Sequence, residues 1–304
     1  MPAATQATFS GLWIPLVTPF RRGEVDHHAL AALTRALSSA GIQGLVVCGS
    51  TGESASLDDE EQLECLRTVA THTPLPVVMG VGGHHLGRML DRMRRLSELA
   101  RRELPGLHAV LVAAPYYLRP SQSGVRRWFE VLADASDLPM ILYDIPYRTG
   151  IRITRETLLA LAAHPNIVAL KDCGGDPGKT LALIHDGRLA VLSGEDLQMF
   201  SVLAQGGAGA IAASAHLCTQ EFATLMQALI AGRMEPARAL WMRLAPLIEV
   251  LFAEPNPGPL KFCLSRIFGM SDALREPMMP IQEELKTRLD QFLAEMPSPP
   301  VVVP

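Results

Sequence analysis

A rhythm restricts the fold of this chain more than any single residue does. Eight short runs, at 12–17, 44–48, 77–80, 109–113, 140–143, 167–170, 190–192 and 210–213, are dominated by Val, Ile, Leu, Met and Ala. They are apolar on both faces. Strands covered by helices on both sides read this way, whereas a half-solvated antiparallel sheet alternates. Helix-length amphipathic segments lie between them, at 27–40, 58–71, 86–102, 122–135, 154–163 and 196–205. Several open on a capping residue, such as Asp58 or Thr154. Eight strands, each followed by a helix, predict an α/β fold of the (β/α)8 TIM-barrel type. A doubly wound sheet is the competing architecture, and no GxGxxG follows the first strand to support it.

The strand pattern stops near residue 213, and the remaining C-terminal segments read as helices at 219–231, 235–253, 258–268 and 281–295. The expected organisation is a barrel over 9–216, a C-terminal helical extension over 217–296, and a proline-rich, disordered tail at 297–304.

Charge narrows the partners. There are 27 Lys+Arg against 31 Asp+Glu, a net charge of −4, so no basic surface points to nucleic acid or an anionic membrane. Arg92, Arg94 and Arg95 cluster, but with Asp91 and Glu98 they read as one solvated helix face. No apolar run reaches the ~20 residues that span a bilayer. The first residues, MPAATQATFSGLWIP, lack the pattern of a signal peptide. Five scattered cysteines without a CxxC read as reduced thiols, consistent with a cytoplasmic protein. His84 and His85 are adjacent in sequence with no local carboxylate, which favours a surface pair over a metal site.

Chemistry in such a barrel gathers where the strands end. The segments there are GSTGE at 49–53, PYYLRPS at 115–121, YDIPYRTG at 143–150, LKDCGG at 170–175 and SGED at 193–196. GSTGE alone could be a tight turn. Beside a lysine and tyrosines it reads as a cradle in which Ser50, Thr51 and backbone N–H groups hold a carboxylate. Lys171 ends an apolar run, where loss of hydration lowers proton affinity and yields an amine able to form a Schiff base. The alternatives are a salt bridge to Asp172 or Glu195, or a side chain reaching for the surface. Tyr143 could relay protons or be a core aromatic. Arg148 could clamp a carboxylate or form a surface ion pair.

The motifs GSTGES, PYYLRPSQSG, LPMILYDIPYRTG, ALKD, LSGED and LFAEPNPGPLKF, in this order, resemble those of the pyruvate-dependent class I aldolases, the family of dihydrodipicolinate synthase and N-acetylneuraminate lyase. The resemblance covers roughly residues 9–290. It implies that Lys171 forms the imine with pyruvate and that Tyr143, Ser50 and Tyr117 form a proton relay, Tyr117 reaching in from a neighbouring subunit. It implies that Ser50 and Thr51 hold the pyruvate carboxylate, that Arg148 binds the carboxylate of an aldehyde substrate, and that Gly194 and Ile211 line the site. No cofactor beyond the covalent pyruvate imine is implied, and the assembly implied is a homotetramer. Arg148 in its YRTG context resembles the synthases, since sialic acid lyases usually lack that arginine. The implied reaction is condensation of pyruvate with L-aspartate 4-semialdehyde, and the alternative is a related aldolase or dehydratase acting on a 2-keto-3-deoxy sugar acid or sialic acid.

Three positions depart from the synthase pattern: Ser50 stands for threonine, Asp144 for asparagine, and KDCGGD for KEATG. Lysine-inhibited members bind lysine at a subunit interface. This chain keeps Ser54, Ala55 and Tyr116 there, but places His84 and Arg88 where an asparagine and a glutamate are expected. Arg88 would repel the lysine ammonium, so feedback inhibition is expected to be weak or absent. A non-catalytic keto-acid-binding barrel would have no reason to keep Lys171, Tyr143, Tyr117 and Arg148 together. A phosphate-binding barrel would need more glycine and positive charge than SGED offers.

Overall fold

The computed structural model describes residues 9–295; the expected disordered tail at 297–304 and the first eight residues lie outside them. The described residues form ten strands: β1 (Gly11–Pro15), β2 (Phe20–Arg21), β3 (Glu24–Val25), β4 (Gly44–Val47), β5 (Val77–Val81), β6 (Leu107–Ala113), β7 (Met140–Asp144), β8 (Ile167–Asp172), β9 (Ala190–Ser193) and β10 (Gly209–Ile211). Eight of them close into a barrel in the order β1-β10-β9-β8-β7-β6-β5-β4, which is the TIM-barrel fold read from the sequence. The helices are α1 (His27–Ser38), α2 (Asp59–His72), α3 (Leu86–Arg102), α4 (Gln122–Asp134), α5 (Pro146–Thr149), α6 (Arg155–Leu161), α7 (Pro177–Asp186), α8 (Met199–Ala204), α9 (Thr219–Ile230), α10 (Met234–Leu251), α11 (Gly258–Phe268) and α12 (Glu283–Glu295). None of them is long and apolar enough to cross a membrane.

Two compact units make up the described chain. The first comprises residues 76–211 with 9–11. In it β5 to β10 run parallel, each buried along nearly its whole length. The register of β7 on β8 sets Tyr143 opposite Lys171 and Asp144 opposite Asp172, and β9 brings Ser193 opposite Asp172. Because side chains alternate across a strand, Tyr143 and Lys171 share one face while Asp144 and Asp172 share the other.

The second unit comprises residues 12–75 with 212–295. Here β1 pairs with β4, and α9 to α12 supply most of the packing. Helix α2 opens with the capping box expected of Asp58, which exchanges hydrogen bonds with Glu61 at 2.9 Å in both directions.

Three features carry little or no signal in the sequence. Strand β8 runs on through Lys171 and Asp172 where the apolar run suggests an end at Leu170. A two-residue antiparallel pair, β2 with β3, is too short to leave a periodic signal. Helix α7 follows β8, opened by Asp176, whose side chain accepts from the Lys179 N–H at 3.0 Å, with Pro177 at its first position.

Candidate active site

Lys171 lies within β8 and is only 5% exposed. Burial pulls its ammonium down from the ordinary value of 10.5, against the pull of Asp196 and Glu195, which favour the charged form. Its Nζ sits 4.4 Å from the centroid of the Tyr143 ring. Neither salt bridge offered as an alternative forms: Asp172 is engaged by Thr180 Oγ1 at 2.6 Å and Lys179 Nζ at 3.3 Å, and no carboxylate oxygen lies within 4.0 Å of Lys171 among the described residues.

Gly194 follows β9 and donates its N–H to the Asp172 carbonyl at 2.9 Å. A methyl group there would press on Cys173 Sγ, stand 2.8 Å from Lys171 Cγ and 3.0 Å from Lys171 Cε. The lysine stem therefore lies across a surface that only glycine leaves open. Gly194→Ala will displace the amine; imine formation is expected to fall by about 10²-fold, the usual scale for an ångström-level misplacement. Stopped-flow trapping with a keto acid checks this, with circular dichroism to confirm the fold.

Behind this face, the opposite sides of β7 and β8 hold a second cluster. Lys179 Nζ hydrogen-bonds Asp144 Oδ2 and sits 3.3 Å from Asp172 Oδ1, all three side chains being almost fully buried. Burial pulls the Lys179 ammonium down, but the two carboxylates outweigh it and hold the group above the usual lysine range. Burial also pushes the Asp144 carboxyl up, against Lys179. Gly174 makes room, since a Cβ there would stand 2.8 Å from Asp144 Oδ2 and 3.0 Å from Asp172 Oδ1. The departure at Asp144 thus has a physical reason: a carboxylate is matched to the lysine that α7 delivers.

Arg148 lies exposed on α5, a single turn, with its guanidinium 5.8 Å from the Tyr147 ring centroid. Tyr117 is 87% exposed and holds a φ of +71°, a left-handed backbone that tyrosine seldom adopts. Ile211, the last residue of β10, is buried. His84 meets Tyr116 edge-on at 5.3 Å and His85 caps α3 by accepting from the Arg88 N–H at 3.2 Å, so each histidine has a structural partner. Among the described residues no three His, Cys, Asp or Glu side chains gather as metal ligands.

In the second unit, Ser50 and Thr51 occupy the loop after β4, Ser50 half-buried and Thr51 buried. The loop turns sharply, with Cys48 and Glu53 both at positive φ. Gly52 is required, since a Cβ would lie 2.9 Å from the Leu16 carbonyl oxygen. The C-terminal segments tie this loop down, the Arg275 N–H donating to Glu53 Oε2 at 3.1 Å. Asn256 Nδ2 donates to Thr51 Oγ1 at 3.0 Å, and the buried Lys261 ammonium meets the buried Glu53 carboxylate at 2.7 Å. Sequence reasoning does not single out Glu53, Asn256 and Lys261 as site residues, although the AEPNPGPLK motif contains two of them. Pairing across 205 and 208 residues leaves no local signal.

Known proteins are similar to this chain in sequence and fold. Residues 8–296 match the model of the dihydrodipicolinate synthetase family. A 4-hydroxy-tetrahydrodipicolinate synthase of Clostridium acetobutylicum is 36% identical over 93% of this chain and 99% of its own length. The dihydrodipicolinate synthase of Cyanidioschyzon merolae, solved with lysine bound, superposes with a TM-score of 0.88 at 32% identity, covering 94% of this chain and 98% of that one. A monomeric dihydrodipicolinate synthase variant also superposes at 0.88, with 28% identity over 95% of this chain and 97% of its own.

Proposed function

The chain belongs to the dihydrodipicolinate synthetase family, and from that premise we propose how its side chains carry out the family's reaction. The reaction is condensation of pyruvate with L-aspartate 4-semialdehyde to 4-hydroxy-tetrahydrodipicolinate, a lyase step of lysine and diaminopimelate biosynthesis. The observation that carries the assignment of roles is Lys171: an amine held nearly dry, lowered by burial, and facing a tyrosine ring.

Neutral Lys171 Nζ adds to the C2 carbonyl of pyruvate, and loss of water leaves a protonated imine. That imine draws electrons from C3 as a C3 proton departs. The enamine carbon then attacks the aldehyde carbon, whose oxygen takes up a proton. Attack of the substrate's own amine on C2 closes the ring and releases Lys171. Tyr143, Ser50 and Tyr117 are assigned to the proton relay, Ser50 and Thr51 to the pyruvate carboxylate, and Arg148 to the carboxylate of the aldehyde. Gly194 and Ile211 shape the walls. The reaction needs no cofactor beyond the covalent imine. A homotetramer in the cytoplasm is the proposed setting, and the exposure and backbone conformation of Tyr117 support its use by a neighbouring subunit.

Pyruvate and borohydride test this reading. The expected result is a mass gain equal to reduced pyruvate on Lys171, and a protein that gains none overturns it.

Lysine is proposed to inhibit weakly or not at all. Arg88 stands in the first turn of α3, where its charge disfavours an incoming ammonium. Less than half inhibition at millimolar lysine is expected in a steady-state assay; an inhibition constant below a millimolar would refute this.

A further inference from the structure

The loop after β4 is held in a shape it would not take alone. Cys48 and Glu53 have φ of +54° and +52°, left-handed values that residues with a Cβ keep only where their surroundings impose them. Part of the constraint is internal: the N–H groups of Gly52 and Ser54 turn back onto the Gly49 carbonyl at 3.1 and 3.4 Å, and that of Glu53 onto the Ser50 carbonyl at 3.1 Å. The rest comes from other segments of the same unit. Thr18 Oγ1 donates to the Gly52 carbonyl at 2.7 Å. The Glu53 carboxylate is held at both oxygens, Oε1 by the Lys261 ammonium at 2.7 Å and Oε2 by the Arg275 N–H at 3.1 Å. Lys261 is itself fixed, fully buried with Nζ 4.3 Å from the centroid of the Phe20 ring, which the Arg275 guanidinium also meets at 4.6 Å.

A buried ion pair is a poor source of stability, since apolar side chains of similar volume often do as well. Burial pulls the Lys261 ammonium down from the ordinary value of 10.5, against the pull of Glu53, so the pair carries that cost. What an ion pair supplies and an apolar contact does not is a fixed direction, and here the direction is imposed on the loop whose hydroxyls are assigned to a carboxylate. Asn256 acts on the same loop. Its Nδ2 donates to the buried Thr51 Oγ1 at 3.0 Å, which occupies a lone pair and turns the hydroxyl's own proton away from Asn256. A hydroxyl held this way is set as a donor, the sense in which an anion needs it.

We propose that Asn256 and Lys261 are positioning residues for recognition of the keto acid's carboxylate, Asn256 by setting the Thr51 hydroxyl as a donor and Lys261 by holding Glu53 and, through it, the loop. Neither residue touches the substrate; both act through the loop. This rests on the reading that Ser50 and Thr51 hold the pyruvate carboxylate, and deepens it. Loosening the loop then weakens the binding of a charged keto acid without changing the chemistry of the amine, which is the signature of lost uniform binding.

The experiment compares borohydride trapping of pyruvate with that of methyl pyruvate, the same ketone with its charge capped, the two adducts being told apart by mass. Asn256→Ala is expected to raise the pyruvate concentration for half-maximal trapping by about 10-fold, the worth of one hydrogen bond to a charged group, to leave the maximal rate within about 3-fold, and to leave methyl pyruvate within about 3-fold. Lys261→Met alone strands a buried carboxylate, so it is made together with Glu53→Gln, which removes that charge and keeps the volumes close. This double variant should melt near the wild type by calorimetry and still show the raised pyruvate requirement. Variants that melt lower yet need no more pyruvate than the wild type overturn the proposal, since the ties would then serve stability alone. Equal losses on both ketones overturn it too, because the disturbance would have reached the amine. Wild-type protein that traps pyruvate no better than its ester overturns the assignment of the carboxylate to this loop while the imine chemistry stands. Wild-type protein that traps neither overturns the Schiff-base reading, and this proposal with it.

Discussion

Lys171→Ala protein will show no mass gain with pyruvate and borohydride, and its condensation rate will fall by at least about 10³-fold, because the covalent route is lost and not merely one proton transfer. In wild-type protein the trapping rate should rise with pH through the Lys171 titration and level off below the ordinary lysine value of 10.5, since burial lowers the group. An amine of ordinary basicity would still be gaining rate at pH 10. The same burial has a stability consequence. The folded state holds this proton less tightly than the unfolded chain, so stability is reduced below the folded-state value and recovers as pH rises toward 10.5. Lys171→Met should therefore be inactive yet melt higher than wild type at neutral pH, the difference shrinking in alkali. A lower melting temperature would show that the amine is stabilised by its surroundings after all.

Lys179→Met carries the largest expected loss of stability. It strips the cation from two buried carboxylates, Asp144 and Asp172, on facing positions of β7 and β8. Removing one partner of a buried pair costs about 3–5 kcal/mol, because the remaining charge is left uncompensated. For a chain of this size that lowers the melting temperature by roughly 10 °C. Calorimetry at neutral pH checks it. The sign with pH follows from Lys179, whose folded value is raised: its contribution is complete below the ordinary lysine value and is lost only as pH climbs through the raised one. The gap between wild type and variant should thus persist across the neutral range. Adding Asp144→Asn to the lysine variant should recover part of the loss, since it removes one of the stranded charges. A variant that melts within 2 °C of wild type would mean that water or a rearranged Asp172 replaces the ammonium at little cost.

The barrel was legible because its signal is repeated. Doubly buried strands must be apolar along their whole length, and helices that cover them must be amphipathic. Lys171 and Tyr143 were legible for the opposite reason: each is a polar residue where that rule forbids one. Gly194 and the GSTGE loop could be placed by motif, though the motif does not say what glycine at 194 is for. That appeared with the lysine stem packed over it. The cluster of Asp144, Asp172 and Lys179 stayed hidden because α7 is short and Lys179 reads as an ordinary surface lysine of an amphipathic turn.

The ties from Asn256 and Lys261 to the loop after β4 bear on how the protein comes into being. All eight barrel strands have been made once residue 211 is joined, yet the groups that fasten Thr51 and Glu53 lie 45 and 50 residues further on. A ribosome that has finished the barrel strands has not yet made the groups that fasten the loop after β4. Closing loops of that length is slow relative to local helix formation, so these ties are set among the last events. A chain cut short before Asn256 would lack both ties.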